Sequence, residues 1–515
     1  MPNIEFPERF RMSDYFLYHN VEEGREGKVC LYFGDETFTY ADAVRRSNRA
    51  GNALRELGLR QEDRVLIALP DCPEFVWTWF GASRAGGVIT MVNPLLPADD
   101  YSYYLEYTRA RVAVVHTSLL ENFTRATEGA RHLKNVLVVG RESGRFHSFA
   151  EVSDAQPDEL TPADTHRDDP AIWLFTSGST GRAKGAVHLQ HDLPYNTEAY
   201  AKRVLGVGEN DLTVSVPKLF FGYATGTNLL FPFAAGGATA LFSERSTPEK
   251  LFEVIERYRP TILTSVPTMI NSMLNAEGAE RKDLSSLRMC LSAGEALPVE
   301  LYRRWVETFG VEIYDGIGSA EMFHIYITNR PGDVKPGSLG RIVEGYGAEI
   351  VDAEGRRVAT GEMGTLRVRG DSAALCYWQA HEKSKATFAG DWCTTGDQFH
   401  ADADGYYWYH GRTDEMLKVS GVFVAPAEIE NCLIGHEAVV EAAVVGFDDG
   451  SGLVKPKAFV VLREGRAPSD ELAQAIKEFV KSRLALYKYP RRVEFVESLP
   501  KNDRGKIDRK RLKES

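Results

Sequence analysis

The run Thr176-Ser-Gly-Ser-Thr-Gly-Arg-Ala-Lys-Gly185 gathers the groups that hold a polyphosphate. Glycines at 178, 181 and 185 let backbone N–H groups turn toward an anion with no Cβ in the way. The hydroxyls of Thr176, Ser177, Ser179 and Thr180 donate further bonds, and Lys184 brings a full positive charge. An apolar strand-like run, Ala171-Ile-Trp-Leu-Phe175, leads straight into it. The pattern is not a Walker A loop. Counting from Gly178, Ala183 and Gly185 stand where that loop needs glycine and Ser/Thr.

Four more motifs follow in order: Tyr314-Asp-Gly-Ile-Gly-Ser-Ala-Glu321, Thr395-Gly-Asp397, Gly411-Arg-Thr-Asp-Glu-Met-Leu-Lys-Val-Ser-Gly421 and Pro500-Lys-Asn-Asp-Arg-Gly-Lys506. Taken singly they are ambiguous. Glu321 is a hard oxygen ligand suited to magnesium, or a helix-cap carboxylate. An aspartate after glycine, as at Asp397, is otherwise a turn residue. Arg412 also fits a surface ion pair and Tyr314 a core position. Lys506 lies in the charged run Lys501–Lys513, which composition alone reads as solvated.

In this order and spacing the five motifs resemble the acyl-adenylate-forming superfamily of acyl- and aryl-CoA ligases, peptide-synthetase adenylation domains and luciferases. The resemblance implies ATP, Mg2+ and coenzyme A as reactants. It places the phosphates on Thr176, Ser177, Gly178, Ser179, Thr180, Gly181 and Lys184, and adenine beside Tyr314, Asp315 and Gly316. Asp397 and Arg412 would hold ribose, and Glu321 the metal. Lys506 would reach the α-phosphate and the acyl carboxylate. Asp414 matches the hinge position, and Lys418, Ser420 and Gly421 the face that admits the pantetheine thiol. One departure stands out: Ala320 occupies the place where that family usually has threonine, with Ser319 beside it.

Substrate class is read from Lys218-Leu-Phe-Phe-Gly-Tyr-Ala-Thr-Gly226. No acidic residue occurs between Lys218 and Phe233 to pair an α-amino group. Phe221 and Tyr223 offer flat faces to an aromatic ring. These segments resemble benzoate–CoA ligases in particular. That likeness implies a pocket of Phe221, Tyr223, Ala224, Ala293, Gly294, Gly318 and His324. His324 would bond the substrate carboxylate or a ring substituent. A lone histidine in the apolar run Met322-Phe-His-Ile-Tyr-Ile327 also fits a satisfied core group, and both readings stand at this level.

The elements that position these residues alternate. A helix is predicted after Thr39 up to Gly58, then a strand over Arg64–Leu69, a buried helix over Pro73–Ala85 and a strand over Gly87–Val92. Strands at Val112–His116 and Asn135–Val139 continue the series, and the alternation returns between 168 and 315. This is the pattern of parallel strands with helical crossovers. Strand-like runs and Gly/Pro turns dominate 337–370. Beyond that, Pro426–Ile434 is a helix candidate, Val439–Val445 and Ala458–Leu462 are strands, and Ser469 is an N-cap for a helix through Leu484. The expected fold is α/β: a large N-terminal domain, 1–413, with doubly wound sheets and a β-rich subdomain. A small mobile α+β domain, 414–515, carries Lys506.

Composition agrees. At 515 residues the chain is too long for one core. Net charge is −12, which disfavours nucleic acid and anionic membranes as partners. The six cysteines never approach C-x-x-C spacing, which suits a reducing cytoplasm rather than a zinc site or disulfide framework. No signal peptide or membrane span is expected. The resulting expectation is an ATP-dependent aryl-CoA ligase acting on a benzoate-type acid, cytoplasmic and homodimeric. Its alternatives are an aryl-acid adenylation enzyme loading a carrier protein in trans, a luciferase-like oxygenase, and a nucleotide-binding homologue weakened at Ala320.

Overall fold

The computed structural model describes residues 4–177, 182–413, 415–419, 422–448, 454–501 and 507–514. Thr39 opens the first long helix, Tyr40–Glu56. Its hydroxyl accepts from the Asp42 N–H at 3.2 Å, while the Asp42 carboxylate accepts from the Thr39 N–H at 3.0 Å. The next helix, Pro73–Arg84, begins on proline, whose missing N–H costs nothing in a first turn. From Phe75 to Ser83 it is buried on every face, with Phe75, Trp79 and Phe80 wholly enclosed. The two helices cross at glycines. A Cβ on Gly81 would stand 2.6 Å from the Ser47 carbonyl oxygen, so no side chain fits between the backbones.

Among the described residues, two large sheets flank this core. The eight-stranded sheet runs Cys376–Tyr377, Ala183–Leu189, Pro170–Ser177, Val88–Met91, Arg64–Ala68, Val112–His116, Asn135–Val139 and His147–Ser148. Its strands from Pro170–Ser177 onward pair in parallel. The nine-stranded sheet is parallel from Ile313–Gly318 through Met289–Ala293, Ile262–Ser265, Leu212–Ser215 and Ala238–Leu241 to Val29–Phe33. Antiparallel strands close both of its edges. A five-stranded antiparallel sheet follows, built from Gly347–Val351, Gly364–Arg369, Phe388–Ala389, Trp392–Ala401 and Tyr407–Arg412.

The structure departs from the expected alternation at one place that matters. Pro170–Ser177 does not lead into a crossover. The chain returns at once as Ala183–Leu189, antiparallel, with Thr176 opposite Lys184. So few residues intervene that only a hairpin can form, since a parallel crossover needs a dozen or more.

The C-terminal residues build a core of their own, from Leu417, Val424, Ile429, Leu433, Val444, Val460, Ile476 and Val480 among others. Helix Pro426–Ile434 has the expected ends. Ser469 caps helix Asp470–Lys481, its hydroxyl accepting from the Leu472 N–H at 3.1 Å. That helix stops before Leu484, where the chain tightens into a three-residue turn as the Arg483 N–H bonds the Val480 carbonyl at 3.1 Å. Side chains tie this unit to the rest: Asn271 donates to the Val440 carbonyl at 3.2 Å and Arg463 to Asn275 at 3.1 Å.

Candidate active site

The hairpin carrying Thr176 and Lys184 is braced from helix Ala98–Thr108. Tyr103 donates its hydroxyl to the Ala183 carbonyl at 2.6 Å, and the Tyr107 hydroxyl accepts from the Gly185 N–H at 3.1 Å. Gly178, Ser179, Thr180 and Gly181 lie outside the described residues.

Strand Pro170–Ser177 packs against the short turn Ala320–Met322, which follows strand Ile313–Gly318 and carries Glu321. The Glu321 carboxylate is half-buried, and its Oε1 accepts from the Tyr377 hydroxyl at 2.5 Å. Burial raises the Tyr377 pKa, and the Glu321 charge adds to the shift, so Tyr377 remains a donor. The turn ends on Phe323 at φ +66°, a backbone conformation that costs a non-glycine residue ~1–3 kcal/mol. Strain of this kind collects where neighbouring structure holds a residue in place for a purpose. Gly318 is needed here, because a Cβ would overlap the His324 carbonyl.

The aromatic segment 218–226 meets the hairpin and this turn at Gly222. A Cβ there would stand 3.2 Å from the Leu174 side chain and 3.7 Å from the Phe323 carbonyl oxygen. Phe220 and Phe221 lie ring against ring at 4.3 Å and are half-buried, and Ala224 is enclosed. Strand Met289–Ala293 brings buried Ala293 to its end, with Gly294 next. His324 faces the Tyr223 carbonyl. Its Nε2 carries the hydrogen and donates at 3.0 Å, leaving Nδ1 as an acceptor with no partner among the described residues. Burial lowers this imidazole to about 3, so it is neutral. A carboxylate offers no hydrogen to such an acceptor. Of the two ligand roles open to His324, this tautomer fits a donor on the ring and not the carboxylate. The Tyr223 hydroxyl is likewise enclosed and unpartnered among the described residues.

Tyr314, Asp315 and Gly316 sit in the middle of strand Ile313–Gly318. Burial pushes the Asp315 carboxyl up to about 8, and its Oδ1 has no partner among the described residues. Asp397 and Arg412 are cross-strand partners in the antiparallel sheet, and the guanidinium reaches the carboxylate at 3.1 Å. The ion pair and the cluster of motifs are therefore both present at Arg412. Lys418 lies in strand Leu417–Val419. Asp414, Ser420, Gly421 and Lys506 lie outside the described residues.

Two supports were not foreseen from sequence. Tyr377, which grips Glu321, sits in a segment with no motif signal. Asp71, whose carboxyl burial pushes up to about 6, accepts from the Leu219 N–H at 2.8 Å and so holds the loop before Phe221.

Among the described residues no three His, Cys, Asp or Glu side chains gather to hold a metal unaided. One carboxylate beside the Thr176/Lys184 hairpin still fits Mg2+, which takes one or two carboxylates together with substrate phosphates.

The profile of AMP-binding enzymes matches residues 17–378, and that of the AMP-binding enzyme C-terminal domain matches 428–506. The chain belongs to the AMP-binding enzyme family. It is 44% identical to the benzoate–CoA ligase of Thauera aromatica, over 99% of this chain and 97% of that one. Among solved structures, this AMP-binding enzyme is similar to an anthranilate CoA ligase in complex with anthranoyl-AMP: TM-score 0.95, 40% identity, 98% and 97% of the two chains. It is also similar to a benzoate CoA ligase from Burkholderia xenovorans LB400, at TM-score 0.91 and 41% identity over 98% and 100%. These likenesses extend over the large N-terminal and small C-terminal domains together.

Proposed function

We propose that this enzyme joins a benzoate-type aromatic acid to coenzyme A through an aryl-AMP intermediate. A carboxylate does not react with a thiol in water, because it is anionic and lacks a leaving group. Attack of its oxygen on the α-phosphorus of ATP forms the mixed anhydride and expels pyrophosphate. The thiol then attacks the acyl carbon and AMP leaves. The observation that carries this reading is the meeting of three parts at Gly222: the Thr176/Lys184 hairpin, the Glu321 turn and the aromatic segment.

We assign the phosphates to Thr176, Lys184 and the loop between them, adenine to Tyr314, Asp315 and Gly316, and ribose to Asp397 and Arg412. Phe221, Tyr223, Ala224, Ala293, Gly294, Gly318 and His324 would line the acid pocket. Glu321, together with the phosphates, would hold Mg2+, which would supply positive charge between two anions. Lys506, on a mobile domain 414–515 hinged at Asp414, serves the first step. Lys418, Ser420 and Gly421 face the thiol in the second. Relatives named for benzoate, anthranilate and hydroxybenzoates support the substrate class.

No described helix is long and apolar enough to cross a membrane. We place the enzyme in the cytoplasm as a homodimer, which sedimentation of the purified protein checks. The deciding assay measures pyrophosphate release with ATP, Mg2+ and a panel of benzoates, then AMP release with and without CoA. Release of pyrophosphate without CoA-dependent AMP release would refute the ligase reading.

A further inference from the structure

Glu321 is gripped at its carboxylate by Tyr377, but the turn that carries it also needs a support. That support comes from the outer strand of the phosphate hairpin. The His188 side chain is 0% exposed and that of Asp192, four residues on, 1%. Asp192 Oδ2 stands 2.8 Å from His188 Nδ1 and also accepts from the Leu189 N–H at 3.1 Å. The other carboxylate oxygen makes no hydrogen bond among the described residues, and His191 Nε2 stands 3.3 Å from it. On the far side of the ring, His188 Nε2 lies 2.7 Å from the Ala320 carbonyl oxygen. A carbonyl only accepts, so Nε2 carries a hydrogen and donates.

A chain of contacts thus runs carboxylate, imidazole, carbonyl, and ends one residue from Glu321. Burying a carboxylate and an imidazole costs several kcal/mol unless every bond is made, and an apolar pair packs as well in such a place. Ala320 has no side chain beyond its methyl group, so neighbours can hold it only by its backbone. A carboxylate that fixes a histidine's orientation is the arrangement that aims ligands at metal sites. Here the imidazole aims a backbone instead.

We propose that His188, oriented by Asp192, is a positioning residue that sets the Ala320–Met322 turn and so directs the Glu321 carboxylate toward the metal-nucleotide. This rests on the adenylation reading above. His188→Gln and His188→Asn in the full chain test it. The Gln amide nitrogen reaches the place of Nε2 and keeps the bond to Ala320, whereas Asn reaches only the place of Nδ1. His188→Gln should hold single-turnover pyrophosphate release within about threefold of wild type. His188→Asn should lose about 10²-fold, the effect of ~1 Å misplacement.

Both variants should convert supplied benzoyl-AMP plus CoA at the wild-type rate. Mn2+·ATP affinity, read from the EPR signal of free Mn2+, should fall about tenfold to a hundredfold in His188→Asn alone. If that variant does not fold, His188→Phe fills the space without a donor and takes its place. Equal values for Gln and Asn, or equal loss in both half-reactions, would overturn the proposal. If wild type itself forms no adenylate, the adenylation reading fails, and Mn2+·ATP affinity alone decides the role of the turn.

Discussion

Glu321 has one oxygen tied to Tyr377, and its proposed task is to meet a cation on ATP. Glu321→Gln keeps the shape and removes the charge. Adenylation should fall ~10²–10³-fold, the usual effect of deleting one group that stabilises developing charge. Unchanged ATP turnover would end the metal assignment. Lys506→Ala should lose adenylation by a similar factor and still convert supplied aryl-AMP plus CoA. Equal loss in both halves would make that lysine structural. Asp315 gives a pH signature instead. Its folded pKa, about 8, lies above the ordinary carboxylate value of ~3.9. Between those values the folded protein holds a proton the unfolded chain has released. Stability from this group is therefore complete at the acid end and lost as pH rises toward 8. Asp315→Asn titrates nowhere, so its melting temperature should gain on wild type from pH 5 to pH 8. A constant difference would show the carboxyl is not shifted. Glu321, Asp315 and Asp397 were legible because motif order announces them. Tyr377 was not, since it lies 56 positions farther along the chain and meets Glu321 only once that chain has folded back.

At the scale of elements, periodicity served best where burial is uniform. Strands Val112–His116 and Asn135–Val139 and helix Pro426–Ile434 have the ends their sequences predict. Where a short polar loop joins two strands, alternation alone misleads, and Ala183–Leu189 returned antiparallel. The strand from Val454 begins earlier than its apolar run, because Lys455 and Lys457 pair with Phe447 and Val445 while Pro456 and Ala458 turn inward. The proposed acid pocket depends on a helix too short to be seen by period, Gly222–Thr225, with Phe221 before it. Tyr223 on that helix is half-buried beside His324, their rings 5.2 Å apart. Tyr223→Ala should open space there and shift kcat/KM toward larger ring substituents by about 10–200-fold, the range of one pocket contact. An unchanged ranking among benzoates would place the pocket elsewhere.

The whole molecule has to serve two displacements in turn, first at the α-phosphorus and then at the acyl carbon. In the proposed assignment Lys506 serves the α-phosphate while the anhydride forms, and in that role it would block the side from which a thiol approaches. One fixed arrangement does not serve both steps, and a hinge of a few residues resolves the conflict. The residues on either side of position 414 are tied to different bodies. Thr413 donates its N–H to the Gly396 carbonyl at 2.9 Å, in the antiparallel sheet of the large domain. Glu415 pairs with Arg509 at 3.4 Å, and Arg509 bonds Glu430 in the C-terminal core at 2.9 Å. The bond from Glu415 N–H to the Arg412 carbonyl, 3.0 Å, is one a rotation there would have to release. Proline at 414 restricts φ to near −65° and so opposes any rotation about that bond. Asp414→Pro should leave pyrophosphate release largely intact while thioester formation from supplied aryl-AMP falls by ~10² or more, the cost of a misplaced attack. Single-turnover assays of each half-reaction decide it. Equal effects on both steps, or on neither, would mean that the domains do not turn about this residue.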